Sequence, residues 1–184
     1  MKMPELEKDL SSVLITEEQI KAKVEELGRQ ISHDYKGKKV LLISILKGAA
    51  VFMTDLMRNI DLDVEIDFMV VSSYGSGTQS TNSINIRLDL SRPVDGMDII
   101  IAEDVVDSGN TLAKVKKMLL QRKPASVKIC SLLDKPSRRV TPIDIDYCGF
   151  TIPDEFVVGY GLDYAEKYRN LPFVGILDRK IYEK

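Results

Sequence analysis

The chain has 184 residues and a net charge of −2, from 26 basic and 28 acidic side chains. That length favours one domain over residues 1–184 and can bury roughly 70% of its unfolded surface, while the balanced charge gives no electrostatic ground for a nucleic-acid partner. No run approaches the ~18–20 apolar residues of a membrane span, and the polar start Met1–Lys8 has no signal-peptide core, so a cytoplasmic protein is expected.

Thr16-Glu17-Glu18-Gln19 reads as a capping box, and Ile20, Val24, Leu27 and Ile31 follow at helical spacing, predicting an amphipathic helix over 17–33. His33, the only histidine, sits at its polar end and is expected in solvent. The continuous apolar run 40–46 predicts a buried strand. Lys47-Gly48 breaks it, and 49–59 reads as helix. Strands are expected over 64–71 and 84–88, separated by a polar, glycine-containing loop over 72–83. A loop of that length within a compact domain is functional or disordered.

The run 98–102 predicts another buried strand, and 111–122 a helix with Leu112, Val115 and Leu119 on one face. Strands follow over 127–133, 147–152, 156–159 and 174–177. Cys130 and Cys148 are too few for a disulfide framework and lack partners for a zinc set, so both are expected as reduced core residues. Alternating strands and helices predict an α/β fold, a mostly parallel sheet flanked by helices. Ligands of such sheets sit at the carboxyl ends of the strands, where Lys47-Gly48, Glu103-Asp104-Asp107 and Asp134-Lys135 all fall.

Residues 98–111 carry the most chemistry. A buried strand delivers Glu103 and Asp104 to its tip, Asp107 follows, and Ser108-Gly109-Asn110-Thr111 opens a helix. Carboxylates suit sugar hydroxyls, and N–H groups and hydroxyls at a helix start suit a phosphate, so a phosphorylated ribose fits. Neighbours on a strand point to opposite faces, so the two acids cannot both meet one metal ion in an ideal strand. They can grip two hydroxyls, or one can face a Mg²⁺ shell through water. The bland alternatives are solvated acids at a strand end, and Asn110 or Thr111 acting as an ordinary helix cap. A Walker loop is absent, and Gly75-x-Gly77 lacks a third glycine, which argues against a dinucleotide site. Lys47 and Lys135 read alone are surface lysines, and Phe156 with Val157 reads as core packing.

Ile99-Ile-Ile-Ala-Glu-Asp-Val-Val-Asp-Ser-Gly-Asn-Thr111 resembles the phosphoribosyl-pyrophosphate (PRPP) signature of type I phosphoribosyltransferases. Leu46-Lys47-Gly48 is similar to that family's pyrophosphate loop. Segments 132–139 (Leu-Leu-Asp-Lys-Pro-Ser-Arg-Arg) and 152–164 (Ile-Pro-Asp-Glu-Phe-Val-Val-Gly-Tyr-Gly-Leu-Asp-Tyr) resemble its bacterial hypoxanthine(-guanine) branch, and the likeness runs from about residue 10 to the end. The resemblance implies a type I phosphoribosyltransferase fold with a small hood from the terminal segments, and transfer of the phosphoribosyl group of PRPP to N9 of hypoxanthine or guanine. By the family pattern Glu103 and Asp104 hold the ribose hydroxyls and the metal environment, with Asp163 as a second metal ligand and Mg²⁺ as cofactor. Asp107 accepts a proton at purine N7. Ser108, Gly109, Asn110 and Thr111 cradle the 5′-phosphate. Lys47, Gly48 and Arg169 meet pyrophosphate. Lys135 donates to the 6-oxo group, Phe156 stacks on the purine and the Val157 backbone meets its edge. Ser73 and Tyr74 begin a mobile lid over 72–83. A homodimer or homotetramer is implied as well, with Val51, Phe52, Leu56 and Met57 available for a partner or for the core.

Two competing readings use the same residues. A non-catalytic PRPP-binding regulator would usually add a nucleic-acid surface, which the charge does not favour. An enzyme with another base is limited by Lys135, a donor that suits an oxo group, so adenine and orotate are disfavoured and xanthine stays open.

Overall fold

The computed structural model describes residues 3–73 and 84–183. In chain order its elements are α1 (Pro4–Glu7), β1 (Leu10–Ile15), α2 (Glu17–Asp34), β2 (Val40–Ile45), α3 (Ala49–Met57), β3 (Val64–Ser73), β4 (Ile84–Leu88), β5 (Asp98–Val106), α4 (Asn110–Leu120), β6 (Ser126–Asp134), β7 (Tyr147–Thr151), β8 (Val157–Val158), β9 (Val174–Leu177) and α5 (Arg179–Tyr182). A single 3₁₀ turn spans Pro136–Arg138.

The main sheet has the order β4-β3-β2-β5-β6-β7. It is parallel from β3 to β7, and β4 is an antiparallel edge on β3. The central strands are apolar on both faces because helices cover both. On one side Ile20, Val24 and Leu27 of α2 and Phe52, Met53 and Leu56 of α3 pack on Leu42, Ile100 and Ala102. On the other, Leu112, Val115 and Leu119 of α4 pack on Leu41, Ile43, Ile99, Ile101 and Ile129. Each fully buried aliphatic side chain contributes roughly 1.5–3 kcal/mol, so this two-sided burial is a large part of what holds the sheet. A second, antiparallel sheet of order β1-β9-β8 joins the two ends of the chain.

The capping box forms: the Gln19 N–H donates to Thr16 Oγ1, and the Thr16 N–H donates to Gln19 Oε1 at 2.8 Å. Three expectations are corrected. The strand expected over 98–102 runs on to Val106, because Glu103, Val105 and Val106 still pair with Ser131, Leu133 and Asp134 of β6. The two acids therefore sit inside a strand rather than after it. Cys130 is buried as expected, whereas Cys148 is exposed: on the edge strand β7, Tyr147 points inward and its neighbour points out. The cap of α4 is neither Asn110 nor Thr111 but Gly109, with no side-chain bond. Phe52 and Leu56 belong to the core, while Val51 is 36% exposed. No helix among the described residues is long and apolar enough to cross a membrane.

Candidate active site

The carboxyl ends of β2, β5 and β6 lie side by side, because β2 and β6 both pair with β5. Everything that leaves those ends converges. Glu103 and Asp104 alternate across β5. Asp104 lies against the backbone of Gly48 at the start of α3, where a Cβ would overlap its carboxylate, so any side chain at 48 would displace Asp104. Glu103 lines a small pocket of about 150 Å³ with Ser108, Gly109 and Thr111 on the α4 side. Burial pushes both carboxyls up, with the charge of Asp104 adding to the rise of Glu103 and that of Asp163 adding to the rise of Asp104. Glu103 rises well above the usual carboxylate range, through burial first and Asp104 second. Asp104 rises to about 6 through burial, held back by the Val105 N–H, which donates to its Oδ1 at 2.8 Å, and by the charge of Arg169. Glu103 Oε2 is shielded from solvent and has no hydrogen-bond partner among the described residues.

The chain then turns through Asp107 to Gly109. Gly109 has φ +79, and a Cβ there would come within 2.6 Å of the Thr141 carbonyl, so the turn needs glycine for both conformation and space. The Asn110 N–H donates weakly to Ser108 Oγ at 3.4 Å, and the N–H groups of Thr111 and Leu112 have no acceptor among the described residues. An uncapped helix start with free N–H groups is an anion site in waiting. Asn110 Oδ1 instead accepts from Thr141 Oγ1 at 2.5 Å, and Asp107 Oδ1 accepts from Arg138 Nε at 3.2 Å.

On the other side of β5, Lys47 and Gly48 lead from β2 into α3, and the Leu46–Lys47 peptide is cis. Lys47 Nζ donates to both carboxylate oxygens of Glu166 at 3.1 Å. Arg169 Nη2 lies 2.8 Å from Asp163 Oδ1 and 3.3 Å from Glu166 Oε2, and its Nη1 donates to the Gly161 carbonyl at 2.8 Å. The two expected pyrophosphate cations are thus brought together, with a carboxylate between them.

A cavity of about 470 Å³ opens beside Asp107. Val105, Asp107, Lys135, Phe156, Val157 and Asp163 line it, as do Arg138, Leu162 and Tyr182. Lys135 is 9% exposed, donates to the Glu155 carbonyl at 2.6 Å, and has its pKa lowered by burial. Phe156 is 38% exposed and stacks on Tyr182 of α5, with centroids 4.9 Å apart and planes at 27°. Val157 is buried in β8.

The residues singled out from the sequence therefore gather, apart from the lid. Ser73 ends β3, while Tyr74 and the rest of the segment to 83 lie outside the described residues. Glu166, Arg138 and Tyr182 were not singled out; each is an ordinary polar or aromatic residue in sequence, and only its neighbours in space give it a place. Among the described residues no three His, Cys, Asp or Glu side chains cluster to hold a metal ion. Glu103, Asp104 and Asp163 are therefore no closed protein cage. The orphaned Glu103 Oε2 and the raised Asp104 nevertheless fit a cation that arrives with its own oxygen ligands, as Mg²⁺ does with phosphates.

Comparison with known proteins bears on this arrangement. A family model described as a phosphoribosyl transferase domain matches residues 14–165. The hypoxanthine-guanine phosphoribosyltransferase of Streptococcus thermophilus is 50% identical over 97% of this chain and 99% of its own. The bifunctional protein TilS/HprT of Listeria innocua is 51% identical over 96% of this chain, which spans only 27% of that protein's length. Among solved structures, a hypoxanthine phosphoribosyltransferase from Staphylococcus aureus aligns over the full length of both chains, with a TM-score of 0.95 and 47% identity.

Proposed function

The chain belongs to the phosphoribosyltransferase family, and from that premise we propose that it transfers the 5-phosphoribosyl group of PRPP to N9 of hypoxanthine or guanine, yielding IMP or GMP and pyrophosphate, a purine-salvage reaction. The observation that carries this reading is that Val105 and Asp107 line both the phosphate turn's pocket and the larger cavity holding Lys135 and Phe156. A sugar phosphate and a flat oxo-base would meet at Asp107.

Each residue then has a task set by its surroundings. The free N–H groups of the 108–111 turn and the hydroxyls of Ser108 and Thr111 bind the 5′-phosphate. Glu103 and Asp104, on opposite faces of β5, accept from the ribose hydroxyls. Mg²⁺, when bound, would neutralise charge on the departing pyrophosphate; Asp104 and Asp163, close enough for their charges to act on each other, would hold it together with substrate oxygens, while Glu103 on the opposite face of β5 would reach it only through water or substrate. Lys47, the N–H groups around Gly48 and Arg169 offer positive charge where negative charge grows as the bond to pyrophosphate breaks. Lys135 donates to the purine 6-oxo group. Phe156 presents a ring face to the base. Asp107 accepts the N7 proton, which makes N9 the better nucleophile. Asp107 shares its carboxylate with exposed Arg138 in the ligand-free protein.

The test is to incubate the protein with PRPP, Mg²⁺ and hypoxanthine, guanine, xanthine or adenine and to compare kcat/KM. IMP and GMP should form and adenine should not react. Replacing Lys135 by Met should lower kcat/KM for hypoxanthine about 10- to 100-fold, since a hydrogen bond from a charged donor is worth ~1.5–3 kcal/mol. Absence of IMP removes the enzyme reading; unchanged turnover by Lys135→Met removes Lys135 from the base site.

A further inference from the structure

The turn after β5 is held from behind by a residue that none of this chemistry uses. The guanidinium of Arg139 donates from Nε to the Asp107 carbonyl at 3.0 Å, from Nη2 to the Val106 carbonyl at 3.3 Å, and from Nη1 to the Ile143 carbonyl at 3.2 Å. Nη2 also pairs with the Asp134 carboxylate. Both partners of that pair are largely buried, at 17% and 18% side-chain exposure. The next carbonyl, that of Ser108, accepts the N–H groups of Val140 and Thr141 at 3.0 Å each.

Three successive carbonyls of the turn are therefore fixed: that of Asp107 by Arg139, that of Ser108 by the Val140 and Thr141 N–H groups, and that of Val106 by Arg139 together with the Lys135 N–H, which donates to it at 3.0 Å. A trans peptide unit is planar, with its N–H opposed to its C=O. Fixing the carbonyls of 106, 107 and 108 fixes the N–H groups of 107, 108 and 109 in the opposite direction, and these have no acceptor among the described residues. We propose that Arg139 is the positioning residue of the phosphate turn: it satisfies the inward carbonyls so that the outward N–H groups stay aimed at an anion. This rests on the reading of 108–111 as a phosphate cradle.

The experiment measures binding of ribose 5-phosphate and, separately, of magnesium pyrophosphate to the whole protein by calorimetry, with Tm recorded for each variant. Pyrophosphate is met by Lys47 and Arg169, which Arg139 does not touch, so it controls for general loosening. Arg139→Gln should weaken ribose 5-phosphate about tenfold or more while changing pyrophosphate by less than about twofold, because small misplacements of binding groups are costly. Arg139→Lys, which keeps the charge and part of the donor set, should fall between Gln and wild type. Should Arg139→Gln fail to fold, Asp134→Asn leaves the three carbonyl bonds and should weaken ribose 5-phosphate by about two- to threefold alone. If wild-type protein does not bind ribose 5-phosphate, the cradle itself is wrong and the proposal goes with it. If wild type binds and the variants bind equally well, or if both ligands weaken together, the cradle stands and the role of Arg139 is overturned.

Discussion

Glu103 and Asp104 are adjacent, shielded carboxylates with no cation at ion-pair distance among the described residues, and burial raises both. Lys47 and Arg169, across Gly48 from them, are already matched by Glu166 and Asp163. The two ends of one candidate substrate site are thus prepared in opposite ways. At the acidic end the ligand-free protein holds unfavourable electrostatics that a cation and sugar hydroxyls relieve, and nothing has to be broken first. At the basic end the protein is internally neutralised, and an incoming anion has to take the cations from a carboxylate that already holds them. One end is stabilised by its ligand, and the other is selective because its ligand must displace a competitor.

The largest effect that tests the division belongs to the residue between the two ends. Asp107→Asn keeps the shape and the turn but removes the proposed proton acceptor. Forward kcat should fall by about 10- to 10⁴-fold, with PRPP affinity retained. Steady-state kinetics beside direct PRPP binding checks this. A variant that turns over normally would leave the carboxylate without a chemical task, and one that loses PRPP would place it in the sugar site rather than at the base.

The acidic end has its own signature in stability. Asp104 is pushed up to about 6, chiefly by burial. A raised carboxyl binds more protons folded than unfolded between about pH 4 and 6, so its cost is absent below that window and fully present above it. Asp104→Asn keeps the Oδ1 acceptor for the Val105 N–H and removes the charge. In chelator, its Tm should match wild type near pH 4 and exceed it above pH 6, by up to about 3 kcal/mol or roughly 5–10 °C. The same variant should bind PRPP more weakly with Mg²⁺ present. A Tm difference that is flat with pH would mean that Asp104 carries no such cost.

The contrast between the ends also explains what could be read in advance. The acidic strip is contiguous, 103–111, and its strand and helix are marked by apolar runs of clear period, so its place on the central strand was legible, although the strand runs on through the acids to Val106 because polar residues can still pair in the ladder. Lys135, Phe156 and Asp163 were nominated by likeness of segments, since alone each looks like surface or core. Glu166 gave no signal, because its role depends on a turn that brings it between Lys47 and Arg169. The carbonyl grip of Arg139 was equally silent, as backbone orientation leaves no trace in side-chain pattern. In the fold, β1 went unread because its pairing with β9 slips at two places, which destroys the period of two. The helices α1 and α5 have four residues each, too short for a helical repeat to show.

The smallest effect is expected at the basic end, and it is the most direct test of the competitor there. Glu166 is exposed, with side-chain exposure of 65% against 68% for Lys47. Exposed ion pairs are weak and are screened by salt. Glu166→Gln removes the competing charge while leaving a side chain of the same shape. Calorimetry at low ionic strength should then find magnesium pyrophosphate bound about two- to fivefold more tightly, with KM for PRPP lower in proportion. Raising the salt should shrink the difference, because the interaction removed is one between solvated charges. Binding of ribose 5-phosphate, which needs neither cation, should stay as it was. A variant whose pyrophosphate affinity matches wild type at low salt would show that Lys47 and Arg169 lose nothing by leaving Glu166. The asymmetry between the two ends would then reduce to the buried acids alone.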